Sequence, residues 1–278
     1  MSGFISRLSI TSILVSSLAM FGCSSSDDGA AAATVPPNAV TITEANAKDI
    51  VSQATIGGST LINLVPVAAS VAQAPTASDI IELASGKIKD LARSAALNIP
   101  VAEVVNIPCD TGSITGNETS TDTTSSGTIT FNACVFGSIT LNGTITFSAS
   151  SNPTNLNWTL TMSGNLSGTA NGITTSLNSL TLNQTGNDNT FEYSINTFTY
   201  AIDYTGGGGF LVQLLAAIVG NEADTCPRSG IVLVTGADST KAKGTINGDG
   251  TVTIEHDDGS GTFVEVPGSP FPCTDFFN

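Results

Sequence analysis

From Cys109 to the C terminus, apolar residues recur at every second position, and this period constrains the chain more than any other feature. Ile129/Phe131, Ile139/Leu141/Ile145/Phe147 and Leu156/Trp158/Leu160/Met162 alternate with Thr, Ser and Asn. Successive side chains of a strand point to opposite faces, so the pattern predicts strands with one buried and one wet face. Asn142-Gly143, Asn171-Gly172, Thr185-Gly186-Asn187 and Asn247-Gly248-Asp249-Gly250 are expected to mark turns between them. The alternation slips by one residue between Leu177 and Leu180 and again between Ile195 and Phe198, and each slip requires a bulge or a break.

Upstream the period is helical. Ala47, Ile50, Val51 and Ala54 fall on one helix face, with Thr41 and Glu44 at capping-box spacing. Leu61, Leu64, Val65, Ala68, Val71 and Ala72 repeat the pattern around Pro66, and Ser78 to Leu97 carries a third apolar stripe that Pro100 ends. The expected fold is therefore α+β but mainly β: one large antiparallel meander, a curved sheet, with N-terminal helices packed against it. A helical segment over 41–100 and a β region over 101–278 would form one domain.

One segment breaks the alternation. Gly206 to Gly209 feed the apolar run Phe210 to Val219, interrupted only by Gln213. A buried helix or strand accounts for it; so does a glycine-hinged flap, in which Phe210, Leu211, Leu214, Leu215 and Ile218 would cover a hydrophobic ligand.

Residues 1–22 carry Arg7, an apolar run from Leu8 to Phe21 too short to span a bilayer, and Gly22 before Cys23; Ser24 to Thr34 is small and polar apart from its alanines. This order resembles the signal and tether of bacterial lipoproteins, although Met20 and Phe21 depart from the usual lipobox. The resemblance implies removal of residues 1–22, acylation of Cys23 and a flexible tether over 23–40; ordinary secretion is the alternative. Ser24 after the cysteine resembles the outer-membrane sorting pattern, which implies a lipid-anchored protein of the cell envelope facing the periplasm or the surface. The strand, turn and cysteine rhythm of the β region also resembles proteobacterial outer-membrane lipoproteins, a likeness that carries no activity with it.

Export changes the reading of the other cysteines. Cys109, Cys134, Cys226 and Cys273 form an even set in an oxidising compartment, and the local pairings Cys109–Cys134 and Cys226–Cys273 are favoured over the crossed ones. None has the close spacing of a zinc knuckle.

Charge narrows the partners. The 278 residues hold 8 Lys and Arg against 23 Asp and Glu, a formal −15, which argues against nucleic-acid binding. Loss of residues 1–22 removes Arg7 and no acid, leaving 7 against 23. The membrane is then a partner through the acyl anchor and not through the protein surface.

Catalytic signals are thin. No G-x-S-x-G or S-x-x-K motif is present, and the single histidine, His256, sits in a hydrophilic stretch. Asn247, Asp249, Asp257 and Asp258 gather oxygen ligands on two Gly-rich loops, a candidate weak calcium site in which neither loop completes the calcium frame. No cofactor is expected. Thr-x-Thr triplets at 128/130, 144/146, 159/161, 197/199 and 251/253 suit the wet face of a strand, and their unequal spacing argues against a solenoid that would stack them. The expected function is a non-enzymatic structural or binding role in the cell envelope. The alternatives are a lipid or hydrophobic-ligand carrier with a half-barrel cavity, and an exported hydrolase using two carboxylates.

Overall fold

The computed structural model describes residues 32–55, 80, 109–121, 123–221 and 223–277. Within them lie one α-helix, α1 (Ala47–Ala54), and twelve strands: β1 (Ser113–Ser120), β2 (Thr124–Phe136), β3 (Ile139–Asn152), β4 (Asn157–Ala170), β5 (Ile173–Asn187), β6 (Glu192–Tyr204), β7 (Gly209–Asn221), β8 (Ser229–Thr235), β9 (Lys241–Ile246), β10 (Thr251–Asp257), β11 (Val264–Glu265) and β12 (Phe271–Pro272). They form a single antiparallel sheet in which β1 to β11 pair in chain order and β12 pairs with β10. The mainly β meander read from the alternation is the fold.

The apolar half of each alternating pair makes the core. Ile129 and Phe131 of β2, Leu141, Ile145 and Phe147 of β3, and Leu160 and Met162 of β4 are buried, and they join one hydrophobic cluster with α1 and with strands through β10. The intervening Thr, Ser and Asn side chains form the outer face.

Both slips in the alternation are bulges. The β5–β6 register shifts between Asn178 and Thr181, where Ser179 takes φ 53° and its N–H donates to Asn165 Oδ1 at 2.8 Å. The β6–β7 register shifts between Ile195 and Thr199. Asn142-Gly143 is not a turn but lies within β3, opposite a bulge in β2, where Asn142 Oδ1 accepts from Ala133 N at 2.8 Å. An asparagine that caps a neighbouring strand's bulge gives the same local signal as a turn asparagine. Thr185-Gly186-Asn187 likewise ends β5, and the turn falls on residues 188–191.

At the N-terminal side, α1 buries Ala47, Ile50, Val51 and Ala54 against β8, β9 and β10. The buried Tyr200 hydroxyl donates to Ala54 O at 3.2 Å, taking one of the carbonyls left free at the helix end. The Thr41–Glu44 box does not form: the helix starts at Ala47, after a turn in which Asn46 Oδ1 accepts from Thr43 N and Asn46 Nδ2 donates to Thr41 O. The expectation of several N-terminal helices is met among the described residues by α1 alone. The helices read over 61–72 and 78–97 lie outside them except for Ile80, which has helical backbone and is buried.

The docked chain begins at Pro36, inside the stretch read as tether. Pro36 is buried, Gly208 N donates to Asn38 O at 3.1 Å, Val40 N donates to Gly209 O at 2.9 Å, and Ala237 N donates to Val40 O at 2.8 Å. The glycines make this seat. Gly206, Gly207 and Gly208 have φ between 94° and 106°, and a Cβ on Gly209 would lie 2.5 Å from Ile202 O and 3.2 Å from Pro36 Cγ. A segment read as a hinge is thus the place where the N-terminal chain packs onto the sheet.

Candidate functional site

Strand direction sorts the connections into two ends. Residues 137–138, 171–172, 205–208 and 236–240 lie at the end where Pro36 to Val40 docks. Residues 121 and 123, 153–156, 188–191 and 223–228 lie at the other, a 13-residue strand away, or roughly 40 Å.

The antiparallel register lines up the outer face in rows that the linear sequence hides. Ser150, Thr159, Thr185, Ser194 and Val219 are successive cross-strand partners from β3 to β7. Asn152, Asn157, Asn187, Glu192 and Asn221 form the next row, nearer the far end. Ser148, Thr161, Asn183 and Thr197 form a third, and Thr146, Ser163, Thr181 and Thr199 a fourth. Two of the Thr-x-Thr triplets do pair directly, Thr128 with Thr146 and Thr130 with Thr144, through hairpin register instead of a solenoid repeat. Neighbouring strands lie about 4.8 Å apart, so hydroxyls bond across them: Ser150 to Thr159 at 2.8 Å and Thr130 to Thr144 at 3.0 Å.

Two surface troughs follow these rows. One of about 400 Å³ runs between the third and fourth. The larger, about 560 Å³, is lined by the Ser150 and Asn152 rows and by Ser151, Trp158, Gly186 and Tyr193 between them. From Ser94 to Pro227 the chain contains no Lys or Arg. Glu192 is the one charged residue in either lining, and it lies 3.4 Å from Arg228, whose Nε also contacts Asp224 at 2.9 Å.

The hairpins beside the larger trough share one construction. Asn152 opens the β3–β4 turn and Asn187 the β5–β6 turn, and their side-chain oxygens accept from Thr154 N and from Asn189 N and Thr190 N, respectively. Each turn closes on a bulky residue in the left-handed region: Leu156 and Phe191, both at φ 57°. Leu156 is 45% exposed and Phe191 56%. Asn or Gly would suit both the backbone and the solvent better at these positions. Asp188 N donates to Leu156 O at 3.0 Å, Asn187 Nδ2 to Asn155 O at 2.9 Å and Asn221 Nδ2 to Thr190 O at 2.7 Å, so three hairpin ends are stitched into one rim.

The residues singled out from the sequence are placed elsewhere. Cys109 pairs with Cys134 and Cys226 with Cys273, the local connectivity. The first bridge fixes the chain entering β1 to β2, and the second ties the β7–β8 loop to the C-terminal segment. The proposed flap is strand β7, paired on both sides by β6 and β8, so Phe210, Leu211 and Ile218 are buried in the sheet, Leu214 packs against the core, and Leu215 projects at a register shift. A strand whose backbone is hydrogen-bonded on both edges cannot swing as a lid.

Asn247 and Asp249 lie beyond one end of β10, and Asp257 and Asp258 at its other end, so the four do not converge. Each serves its own turn. Asn247 Nδ2 donates to Thr251 and Thr253, Asp249 Oδ1 accepts from Thr251 N, and Asp257 Oδ1 accepts from the amides of Gly259 and Gly261. Burial pushes the Asp257 carboxyl up, but these two amides and Lys241 outweigh it and hold the group below its ordinary value. Hydrogen bonds from Ser260 lower Asp258. Among the described residues, no group of three His, Cys, Asp or Glu is placed to hold a metal ion. His256 Nε2 lies 3.0 Å from Ile42 O, a contact that ties β10 to the N-terminal segment. Buried carboxylate oxygens without a hydrogen-bond partner occur on Glu118, Asp203 and Asp257, on the non-neighbouring strands β1, β6 and β10.

The rows and the rim escape sequence reading because both arise from register. The only local signal is the repeated order of a turn asparagine followed four residues later by a large apolar residue, in Asn152 to Leu156 and Asn187 to Phe191. No family model, curated protein or solved structure matches the chain.

Proposed function

We propose that this chain is a lipid-anchored protein of the bacterial cell envelope, attached through Cys23, with a binding or structural role and not a catalytic one. The observation that carries the reading is the separation of the two ends. The chain leaving the anchor packs at Pro36 to Val40, and the larger trough with its rim lies about a strand length away. An anchored sheet of this build presents the trough away from the membrane that holds it. The disulfides support export, since both bridges need an oxidising compartment to persist. Gly22-Cys23 and the Ser-rich stretch support acylation.

The test is metabolic labelling with an acyl probe. Wild type is expected to carry the label in the membrane fraction, and Cys23→Ser to lose it and become soluble. Equal labelling of the two proteins contradicts the anchor.

A further inference from the structure

We infer that the free edge of strand β1 pairs with the β1 of a second copy of this chain, joining two sheets about a two-fold axis; the inference goes beyond the role proposed above. The two edges of the sheet differ. At one, β11 pairs with Glu255 and His256 and β12 with Thr251 and Val252, while Ile254 between them donates to Ser269 Oγ and accepts from Val266 N, so the outer side of β10 is taken. At the other, β1 pairs with β2 over eight residues without a register shift and has no neighbour on its outer side among the described residues. Thr121 N donates to Thr124 O at 2.7 Å, which sets the alternation of the ladder. Ser113, Thr115, Asn117 and Thr119 therefore bond to β2, and Ile114, Gly116, Glu118 and Ser120 turn N–H and C=O outward. A row of such groups is complementary to another extended backbone.

Order, charge and register favour a second copy as that backbone. β1 is held at both ends, by the Cys109–Cys134 bridge and by the Thr121–Thr124 contacts, so two copies meet with little further ordering. Charge permits the approach on this side: from Thr123 to Asn187, the stretch that holds β2 to β5, no residue is charged in a chain of formal −15. β1 itself contains no Lys, Arg or Pro, and its one charged side chain, Glu118, lies on the inner face and accepts from Ser125 Oγ. A two-fold axis beside Asn117 pairs Ile114 with Ser120 of the second copy and Gly116 with its Glu118. That register engages all four outward residues of each strand and sets neither Glu118 opposite the other. Centring on Gly116 would draw in Gly112, whose φ of 87° leaves the strand conformation. Because β10 is covered, one copy cannot add its β1 to the other edge of the next, and the assembly closes as a pair. Antiparallel pairing puts the two Pro36 ends at opposite ends of the joined sheet. A stretch as long as Cys23 to Val35 reaches roughly 45 Å at full extension, enough to bring both anchors to one membrane past a strand of roughly 40 Å.

Disulfide trapping reads the register directly. In the pair, the two Asn117 Cα atoms would stand about 4.5 Å apart, within reach of a disulfide. Asn117→Cys in the full-length protein, in its native membranes, should give a covalent dimer on non-reducing gels. Thr115→Cys, which faces Thr119 of the second copy, should give none alone, and co-expression with Thr119→Cys should restore the cross-link. Sedimentation velocity of the full-length wild type in a buoyancy-matched detergent should show a monomer–dimer equilibrium. Asn117→Asp keeps the oxygen that accepts from Thr128 N and sets two carboxylates face to face in the pair alone, so the dimer should weaken about tenfold while the melting temperature holds. A single monomeric species across the micromolar range overturns the inference, whatever other strand the edge then takes. So does a dimer indifferent to Asn117→Asp, or cross-linking at 115 equal to that at 117, since the copies would then meet elsewhere.

Discussion

The Trp158 indole occupies the place that a side chain at Gly186 would need: an ideal Cβ there would lie 2.4 Å from Trp158 Cζ2. Tyr193 stands in the same relation to Gly220, whose Cβ would meet its hydroxyl oxygen at 2.4 Å. The two pairs are consecutive in one row across β4, β5, β6 and β7. Glycine weakens a strand unless something packs over it, and here an aromatic ring from the neighbouring strand does so. Gly186→Val should therefore displace the indole, shift its emission to the red and cost about 1–3 kcal/mol. Urea unfolding followed through Trp158 emission checks both; an unchanged midpoint and spectrum would mean that the ring does not pack on Gly186.

Strand β7 distinguishes a woven strand from a lid. Val212→Asp places a carboxylate at a fully buried position and should cost several kcal/mol, enough to prevent folding. Leu215→Asp, at a residue 56% exposed, should change stability by less than about 0.5 kcal/mol. Melting temperatures of the two variants decide it, and equal tolerance of both would restore the flap.

Acid sensitivity should trace to the 257–261 turn. The Asp257 carboxyl is held below its ordinary value, so the folded state favours the charged form. Its contribution is then fully present above about pH 4 and is lost as pH falls through the lower value of the folded state. Asp257→Asn should lower stability near neutral pH and flatten its acid dependence. Urea midpoints measured from about pH 6 to about pH 2 test the sign; an unaltered slope would contradict it.

Each disulfide should contribute roughly 2–4 kcal/mol, mainly by restricting the unfolded chain. The Cys226–Cys273 bridge closes a 47-residue separation against 25 for Cys109–Cys134, so the Cys226→Ser/Cys273→Ser pair should lose slightly more. Thermal melts of the two double variants test the order. Non-reducing peptide maps of the wild type should show these two cross-links alone among the four cysteines.

What was legible in the sequence was what local rules control. The alternation around Phe131 and Ile145 located the sheet, the slip at Leu177/Leu180 located a bulge, and cysteine spacing favoured the observed pairing. The apolar run at 210–219 was ambiguous because Phe210, Leu211 and Val212 are all buried, so one end of β7 is covered on both faces and shows no alternation. The trough was not legible. It depends on which threonine stands opposite which, as in Thr159 beside Thr185, and register is set by hairpin lengths and bulges instead of by the composition of any strand. Leu156 and Phe191 were invisible for a related reason: apolar residues in a β-rich stretch look like core until the turn geometry exposes them.

Export of the sheet and its anchoring through Cys23 are tested most directly by the intact mass of the protein extracted from membranes and treated with iodoacetamide without reduction. The predicted mass is that of a chain beginning at Cys23, carrying acyl chains, with no alkylation because Cys109, Cys134, Cys226 and Cys273 are paired. A chain that retains residues 1–22, or one whose Cys23 is unlipidated and alkylated, would contradict it.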